Sequence, residues 1–565
     1  MKSKYTWILF GVILLIAFLL RFYKLGEIPN GLYQDETAIG YNAYSILTTG
    51  RDEHSSPYPL YFKSFGDWKL PVYIYLTAGS VRLFGLNGFS VRFPSALFGV
   101  LSIIVLYFYI RAITKNPTLA LLASGLLAIN PWHVFYSRAT FEVSVALFFF
   151  LVGGLFLDLS LNNRKKGAFI VSVLSFLIAF WSYNLTRLLA PMLFILLFLQ
   201  YRKHLNYLSK IEIGLTLAFS SIILFPFFIS LGQSGGSASA TGTLIGTSAS
   251  VQAKLLEFRS YLIELPAPII KLLFNKWALT GWQYLTNIAS YLSVPFFFLT
   301  GSDHGNHGIG TSGLFYLFEL PFLLIGSMSL IRQKLPWSLH LGTWALATVA
   351  VASLTRESPH ATRSFFLTIP VETIVAWGLL TTISYWRSLK KTPLSYILAF
   401  ALCVVFVWNI AHYYTSYFVR FPIAYAPSWR SADKDLSLFI AGAQHNYEKV
   451  IFDKKAGFMY TSLLFYASYP PKEFQETATY APDDTEGFSE LLSFGTYEFR
   501  EIDWHKDLTP GTLIITAPHQ VPTTESLMRT FSYPRRPIVL ALKQSIAQYP
   551  VEEVAYAAVT ASFGR

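Results

Sequence analysis

Two adjacent carboxylates, Asp35 and Glu36, sit in Leu32-Tyr33-Gln34-Asp35-Glu36-Thr37-Ala38, just beyond the first apolar segment. A carboxylate ionised near neutral pH can take a proton from an attacking hydroxyl or amine, or ligate a divalent cation. The same pair also suits a helix start, with Asp35 capping a helix from Glu36 through Tyr44. Glu142, in Ser137-Arg138-Ala139-Thr140-Phe141-Glu142, opens another apolar stretch. An acidic residue at the entrance of a membrane helix is a candidate for function, and equally a favourable charge on a helix N-terminus. Arg138 lies four residues earlier, at the spacing that pairs side chains on one helix face.

Cations and imidazoles follow. Lys63, Asp67 and Lys69 precede an apolar segment that begins at Leu70. Two lysines at headgroup depth suit a phosphate, and ordinary snorkelling explains them as well. Arg92, in Ser90-Val91-Arg92-Phe93-Pro94-Ser95, reads as an interfacial anchor. The loop Ser302-Asp303-His304-Gly305-Asn306-His307-Gly308 is the densest candidate for a metal or a sugar. Imidazoles ligate divalent ions together with carboxylates from elsewhere in a chain, but a solvated glycine-rich loop would look the same. His360 and Arg363 begin a further apolar run. A guanidinium grips phosphate with a fork of donors, and simple anchoring is the alternative. No nucleotide-binding loop or dinucleotide fingerprint is present. These groups act together only if separate loops bring them to one face.

The composition says what must do that. Of 565 residues, 53% are hydrophobic and 13% charged. A soluble chain carries about 25% charged residues, so the deficit points to the bilayer. The net charge of +12 resides largely in short loops between apolar segments. That is a membrane-orientation pattern, and with no readout motif nucleic acid is excluded as a partner. Cys403 is the single cysteine, which rules out an intrachain disulfide and a cysteine metal site. Met1 to Arg21 reads as an uncleaved first membrane helix.

A spanning helix needs about 20 mostly apolar residues. The spans expected are 7–21, 93–110, 118–135, 142–160, 168–184, 187–201, 211–230, 313–331, 336–354, 364–386 and 394–417. Lys2 and Lys4 share a cytoplasmic side with the loops carrying Arg111 and Lys115, Arg164 to Lys166, Arg202 to Lys210, Arg332 and Lys334, and Arg387 to Lys391. This pattern holds only if Leu70 to Phe84, short and interrupted by Gly79 and Arg82, lies at the interface or re-enters. The expectation is an α-helical polytopic membrane protein of about eleven spans, N-terminus inside and C-terminus outside.

Residues 1–420 then form the membrane domain, with extracytoplasmic loops at 22–92 and 232–312. The second loop opens on a Gly/Ser/Thr/Ala-rich stretch, Gly232 to Val251, and carries Trp277, Trp282, Tyr284 and Tyr291 as an interfacial aromatic set. Residues 425–565 read as a small soluble α/β domain outside the membrane. Its buried strands are expected at Lys449–Asp453 and Gly511–Thr516, with a helix over Leu436–Ala443. A transporter or lipid-carrier flippase would share the many helices. It would also show repeats and polar, broken helices at the midplane. Here no repeat of fixed period appears and the polar candidates gather at one face.

Over most of residues 10–420 the chain resembles the GT-C superfamily of polyprenyl-phosphate-sugar-dependent glycosyltransferases, in the branch of protein O-mannosyltransferases and lipid A aminoarabinose transferases. The marks are Arg21-x-x-x-Leu25, Asp35-Glu36, Lys69-Leu70-Pro71, Arg92-Phe93-Pro94-Ser95, Ser137-Arg138 with Glu142, His360 with Arg363, and the Asp303–His307 loop. The resemblance implies inverting transfer of a sugar from a polyprenyl-phosphate carrier to an acceptor outside the cytoplasm, whether protein, glycan or lipid, at the cell membrane and among its lipids. It implies that Asp35 activates the acceptor and that Glu142 is the second acidic position. Lys69 and Arg363 would lie on the donor phosphate. Glu36, Lys63, Arg138 and His360 complete the expected substrate-binding set. Relatives can bind a divalent metal ion, for which Asp67, His304 and His307 are the candidate ligands. Trp68 stands where relatives have a Glu, and Leu70 replaces the first proline of their Lys/His-Pro-Pro run.

Overall fold

The structure is a computed structural model. The residues described are 3–64, 68–230, 244–245, 249–261, 266, 268–269, 273–302, 304–388, 392–484, 488–522, 528–532 and 556–560. Asp67, Asp303 and most of the Gly232–Val251 stretch lie outside them.

Six of the described helices are long and apolar enough to cross a bilayer: Lys4–Phe22, Gly88–Thr114, Glu142–Leu161, Lys210–Ser230, Ala361–Ser388 and Pro393–Ala424. Shorter apolar helices at Pro117–Ile129, Ala168–Phe180 and Thr186–Gln200 accompany them, as do helices at Glu319–Gln333 and Pro336–Ala352. Each expected span therefore meets a helix, and the chain is a multi-helix integral membrane protein. Two bounds change. The 118–135 span divides into α5 (Pro117–Ile129) and α6 (Pro131–Tyr136). Pro131 cannot continue the ladder of α5, and the Asn130 side chain instead accepts from the His133 amide at 2.7 Å, capping α6. The helix expected from 313 begins at Glu319, because residues up to Phe318 form a loop.

Caps fix the other elements that matter. A capping box of Asn87 and Ser90 opens α4 (Gly88–Thr114). α2 (Gln34–Thr49) starts behind Tyr33 with no side-chain cap and ends at Gly50 in the left-handed region, φ 71°. Asp35 is thus a first-turn residue and not the cap expected of it. There its charge faces the exposed amides of the helix start. A two-residue ribbon, β1 (Phe62–Lys63) against β2 (Trp68–Lys69), leads into α3 (Pro71–Phe84). At 14 residues α3 rises about 21 Å, short of the roughly 30 Å of a hydrocarbon core. It buries Tyr73, Ile74, Ala78 and Val81 against Ile39, Ala43 and Ile46 of α2.

The C-terminal part holds a seven-stranded mixed sheet of order β4-β5-β6-β3-β7-β9-β8. β3 (Lys449–Asp453) runs parallel to β6 (Tyr497–Arg500) and β7 (Thr512–Thr516). β4 (Thr479–Tyr480), β5 (Leu491–Phe494), β8 (Arg529–Phe531) and β9 (Tyr556–Thr560) pair antiparallel. Both anticipated strands are present, and the anticipated helix extends over Ser431–Ala443. Val450, Phe452, Leu513 and Ile515 share one core with Leu436 and Ile440 of that helix.

α2 lies between the two parts. Its Tyr41 joins the core of the sheet domain, and a methyl on Gly40 would run into the Phe465 ring. Thr37 and Thr461 hydroxyls meet at 2.9 Å, the Tyr41 hydroxyl donates to the Tyr469 carbonyl at 3.2 Å, and Gln475 donates to Ser45 at 3.0 Å. The helix that carries Asp35 and Glu36 is therefore set by both. The aromatic set on Lys276–Tyr291 divides. Trp277 and Trp282 are exposed, the Tyr284 hydroxyl donates to the Ala350 carbonyl, and Tyr291 is buried.

Candidate active site

Asp35 and Lys69 meet at 3.2 Å, their side chains 28% and 12% exposed. The β1–β2 register pairs Phe62 with Lys69, so the ribbon carries the ammonium to the first turn of α2. Lys63 turns elsewhere. Its ammonium donates to Asp483 at 2.7 Å and Ser489 at 3.0 Å in the sheet domain. Expected at a substrate, it instead ties the ribbon to that domain. Asp67 falls outside the described residues.

Glu36 is fully buried and its oxygens are spoken for. Arg92 Nε and Nη2 donate to them at 2.8 Å each, and the Thr140 amide and hydroxyl donate to Oε1 at 3.0 Å. Oε1 accepts three of these bonds and Oε2 one, and the whole carboxylate is sealed from solvent, so the structure gives Glu36 a positioning place rather than the open contact expected. Arg92, expected as an interfacial anchor, is its buried partner. Glu142 is the first residue of α7 (Glu142–Leu161), two residues after Thr140. Tyr33 locates the acidic groups. Burial first, and then the charges of Asp35, Glu36 and Glu142, push its hydroxyl well above its ordinary range. All three carboxylates are thus close enough for Tyr33 to feel their charge, and the Tyr33 hydroxyl donates to the Thr140 carbonyl at 3.4 Å.

Arg138 is a second correction. Its side chain is fully buried and donates to the carbonyls of Leu20, Arg21, Tyr23, Lys24 and Ile28 and to the Tyr417 hydroxyl. The last carbonyls of a helix have no intrahelical donor, and the guanidinium fork satisfies them at the end of α1 (Ser3–Phe22). It serves the backbone rather than Glu142 or a ligand. The reason is local: Ser137 to Phe141 is a turn between α6 and α7, so the helical spacing assumed for Arg138 and Glu142 does not hold.

The imidazole half lies across Phe141. That ring stacks on Tyr136 at 4.3 Å and stands 5.7 Å from His307 and 6.1 Å from Tyr33. His307 and His360 are 4.6 Å apart between ring centroids, and His304 is 6.3 Å from His307. His307 Nδ1 lies 3.3 Å from the Tyr136 and Thr362 hydroxyls. Burial, then the neighbouring His304 and Arg363, lowers His307 to about 3. Burial, then His307 and Arg363, lowers His360 to about 2. Both rings are neutral near pH 7. His360 Nδ1 accepts from the Thr362 amide at 3.2 Å, so the proton of the neutral ring is on Nε2. Arg363 donates to the Glu357 carboxylate at 2.9 Å and to its carbonyl at 2.8 Å.

Among the described residues, which include His304 and His307 but not Asp67, no three His, Cys, Asp or Glu side chains converge as a ligand set. His307 Nδ1 faces hydroxyls and His360 Nδ1 accepts from a backbone amide, which holds each ring in place and leaves its Nε2 side for a ligand.

The arrangement therefore offers a carboxylate beside an ammonium, a second carboxylate nearby, and a guanidinium beside an imidazole donor. Tyr33, Thr140, Phe141, Tyr136 and Glu357 were not anticipated. The first three flank residues that were, but their types announce no chemistry. Glu357 stands six residues before Arg363, a separation no helical or strand rule pairs.

Residues 69–229 match the family described as dolichyl-phosphate-mannose-protein mannosyltransferase. A polyprenol-phosphate-mannose–protein mannosyltransferase of Mycobacterium tuberculosis is 30% identical over 157 residues, 27% of this chain and 29% of that protein. The chain thus aligns with less than a third of the length of the curated relative it matches. Among solved structures, ArnT from Cupriavidus metallidurans in the apo state matches 99% of this chain and 98% of its own, with TM-score 0.54 and 14% identity. The same protein bound to undecaprenyl phosphate gives 0.52 at 13% identity, over the same shares of the two chains. The chain has that fold, the GT-C architecture expected from its sequence.

Proposed function

We propose that this chain is a membrane glycosyltransferase. It moves a sugar from a polyprenyl-phosphate carrier to an extracytoplasmic acceptor with inversion, and Asp35 is the general base. The observation that carries the reading is the Asp35–Lys69 pair at 3.2 Å. A carboxylate and an ammonium side by side are the groups that a base and a phosphate-holding cation require, and Lys69 lies within the residues that match the mannosyltransferase family. The mannosyltransferase relative and the ArnT structure bound to undecaprenyl phosphate support a lipid-phosphate donor.

The chemistry follows from the groups. The acceptor hydroxyl or amine loses its proton to Asp35 as its lone pair attacks the anomeric carbon. The bond from that carbon to the phosphate oxygen breaks, and the electron pair leaves with the phosphate. Lys69 and Arg363 hold the charge that develops there. Binding the phosphate draws Lys69 from Asp35 and leaves that carboxylate ready to accept a proton. Glu142, the second carboxylate whose charge reaches Tyr33, orients the acceptor. A single displacement needs no covalent sugar–enzyme intermediate. The loop charges support a reading in which this face and the sheet domain lie outside the cytoplasm, the N-terminus inside, in the cell membrane. The sheet domain docks on α2 and so borders the path of a protein, glycan or lipid acceptor.

The test is transfer from radiolabelled polyprenyl-phosphate sugars by the purified protein in detergent, with Asp35→Asn as the control. The expected result is transfer that Asp35→Asn abolishes while thermal unfolding is unchanged. Normal turnover by that variant would sink the assignment. Carrier flipping without transfer in reconstituted vesicles would favour a flippase.

A further inference from the structure

The guanidinium of Arg363 makes two different contacts with one residue. Nη1 donates to the Glu357 backbone carbonyl at 2.8 Å, and Nη2 donates to the Glu357 carboxylate at 2.9 Å. The same carboxylate oxygen lies 4.0 Å from His360 Nε2, the nitrogen left carrying the proton once Nδ1 accepts from the Thr362 amide. Arg363 and His360 are walled in, each side chain 14% exposed, whereas the Glu357 side chain is 69% exposed. The donors are fixed and the anion is loosely held. The backbone contact would persist if the carboxylate left, so Arg363 keeps its aim.

We propose that Glu357 is a built-in competitor. Its carboxylate holds the anion seat formed by Arg363 and the His360 Nε2–H, and the phosphate of the lipid-linked donor takes that seat by displacing it. The exchange is chemically even. Both ligands are oxyanions that accept from a guanidinium fork, and phosphate brings more acceptor oxygens and more charge. An exposed carboxylate loses little on leaving, because such pairs are worth about 1 kcal/mol or less. Loading thus costs little, while the guanidinium is never left bare beside the two neutral imidazoles. Asp35 does the same for Lys69, so both candidate phosphate cations carry a protein carboxylate before the donor arrives.

This inference rests on the donor-phosphate role proposed for Arg363, and the test separates the two. Undecaprenyl phosphate is titrated into the purified protein in detergent micelles, for the unaltered chain, Glu357→Gln, Arg363→Ala and the double variant. Inorganic phosphate is titrated in parallel. Removing a competitor worth up to about 1 kcal/mol tightens Kd by about two- to fivefold. The expected result is that gain in Glu357→Gln, absent in the Arg363→Ala background, for the lipid phosphate. No gain, or the same gain without Arg363, overturns the competitor role. A gain confined to inorganic phosphate overturns the lipid assignment. If Arg363→Ala alone leaves Kd unchanged, the phosphate role of Arg363 fails instead. Glu357→Ala serves as a second variant, and the exposure of the side chain makes both compatible with folding.

Discussion

Arg92 grips both oxygens of Glu36 at 2.8 Å, and neither side chain is exposed. The remaining guanidinium donors go to the carbonyls of Leu25, Pro29 and Gly31, and Glu36 also accepts twice from Thr140. One buried pair therefore joins the start of α2, the preceding loop, α4 and the turn before α7. Asp35 stands one residue before Glu36, and Glu142 two residues after Thr140. The pair ties together the two segments that carry the candidate acidic groups.

Breaking this pair from one side leaves a buried charge without its partner, which costs about 3–5 kcal/mol. Glu36→Gln and Arg92→Met should each lower thermal stability in detergent by that order. A Glu36→Leu, Arg92→Met double variant removes both charges and should regain much of the stability. Its transfer rate should stay low, because the tie to Thr140 is gone. Full activity in the stable double variant would show that the pair only supports the fold.

Lys69→Ala should act differently. A hydrogen bond to a charged group is worth about 1.5–3 kcal/mol, so KM for the donor should rise about ten- to a hundredfold. The unfolding temperature should fall only modestly, since Asp35 is 28% exposed and water can reach its carboxylate once the ammonium is gone. An unchanged KM would count against a phosphate role for this lysine.

Much of the frame was legible because apolar runs, loop charges and caps are local signals. The spans, the strands at Lys449–Asp453 and Thr512–Thr516, and the helix before them all follow from such patterns. What was not legible were partners distant in sequence. Nothing near Glu36 says that Arg92, 56 residues on, saturates it. Nothing near Arg138 says that its fork closes the end of α1, 118 residues back at Leu20. Both looked like ligand-binding charges because a buried charge and a functional one share the same residue types. Only burial and the hydrogen-bond partners separate them.

Arg138 offers a test of that distinction. Arg138→Lys keeps the charge but loses the fork that reaches five carbonyls and a hydroxyl. We expect a loss of stability of a few kcal/mol, as for other broken buried networks. The KM for donor should be unchanged in the fraction that remains folded. A selective rise in KM with normal unfolding would return Arg138 to the substrate.

The contact between α2 and the sheet domain carries its own pH dependence. Glu53 is buried, with Asn42 donating to Oε1 at 2.9 Å and the Tyr460 hydroxyl 3.2 Å from Oε2. Burial raises its pKa from 4.5 to about 7, with Asp52 adding to the rise and Asn42 and Tyr460 opposing it. Below about 4.5 the carboxyl holds its proton folded or unfolded. Between 4.5 and 7 only the folded state holds it, so stability falls as pH rises through that window, by on the order of 3 kcal/mol in all. Asp52, raised to about 6 chiefly by burial, adds a loss of the same sign. His54, lowered to about 4 chiefly by burial, opposes both, because its stabilisation grows with pH up to about 6.5. The informative quantity is therefore the difference between the unaltered protein and Glu53→Gln. That difference should shift in favour of Glu53→Gln from pH 5 to pH 8, seen as slower amide exchange in α2 and at Tyr460. A difference that stays constant across this range would mean that Glu53 is ionised in the folded protein and that the contact does not respond to pH.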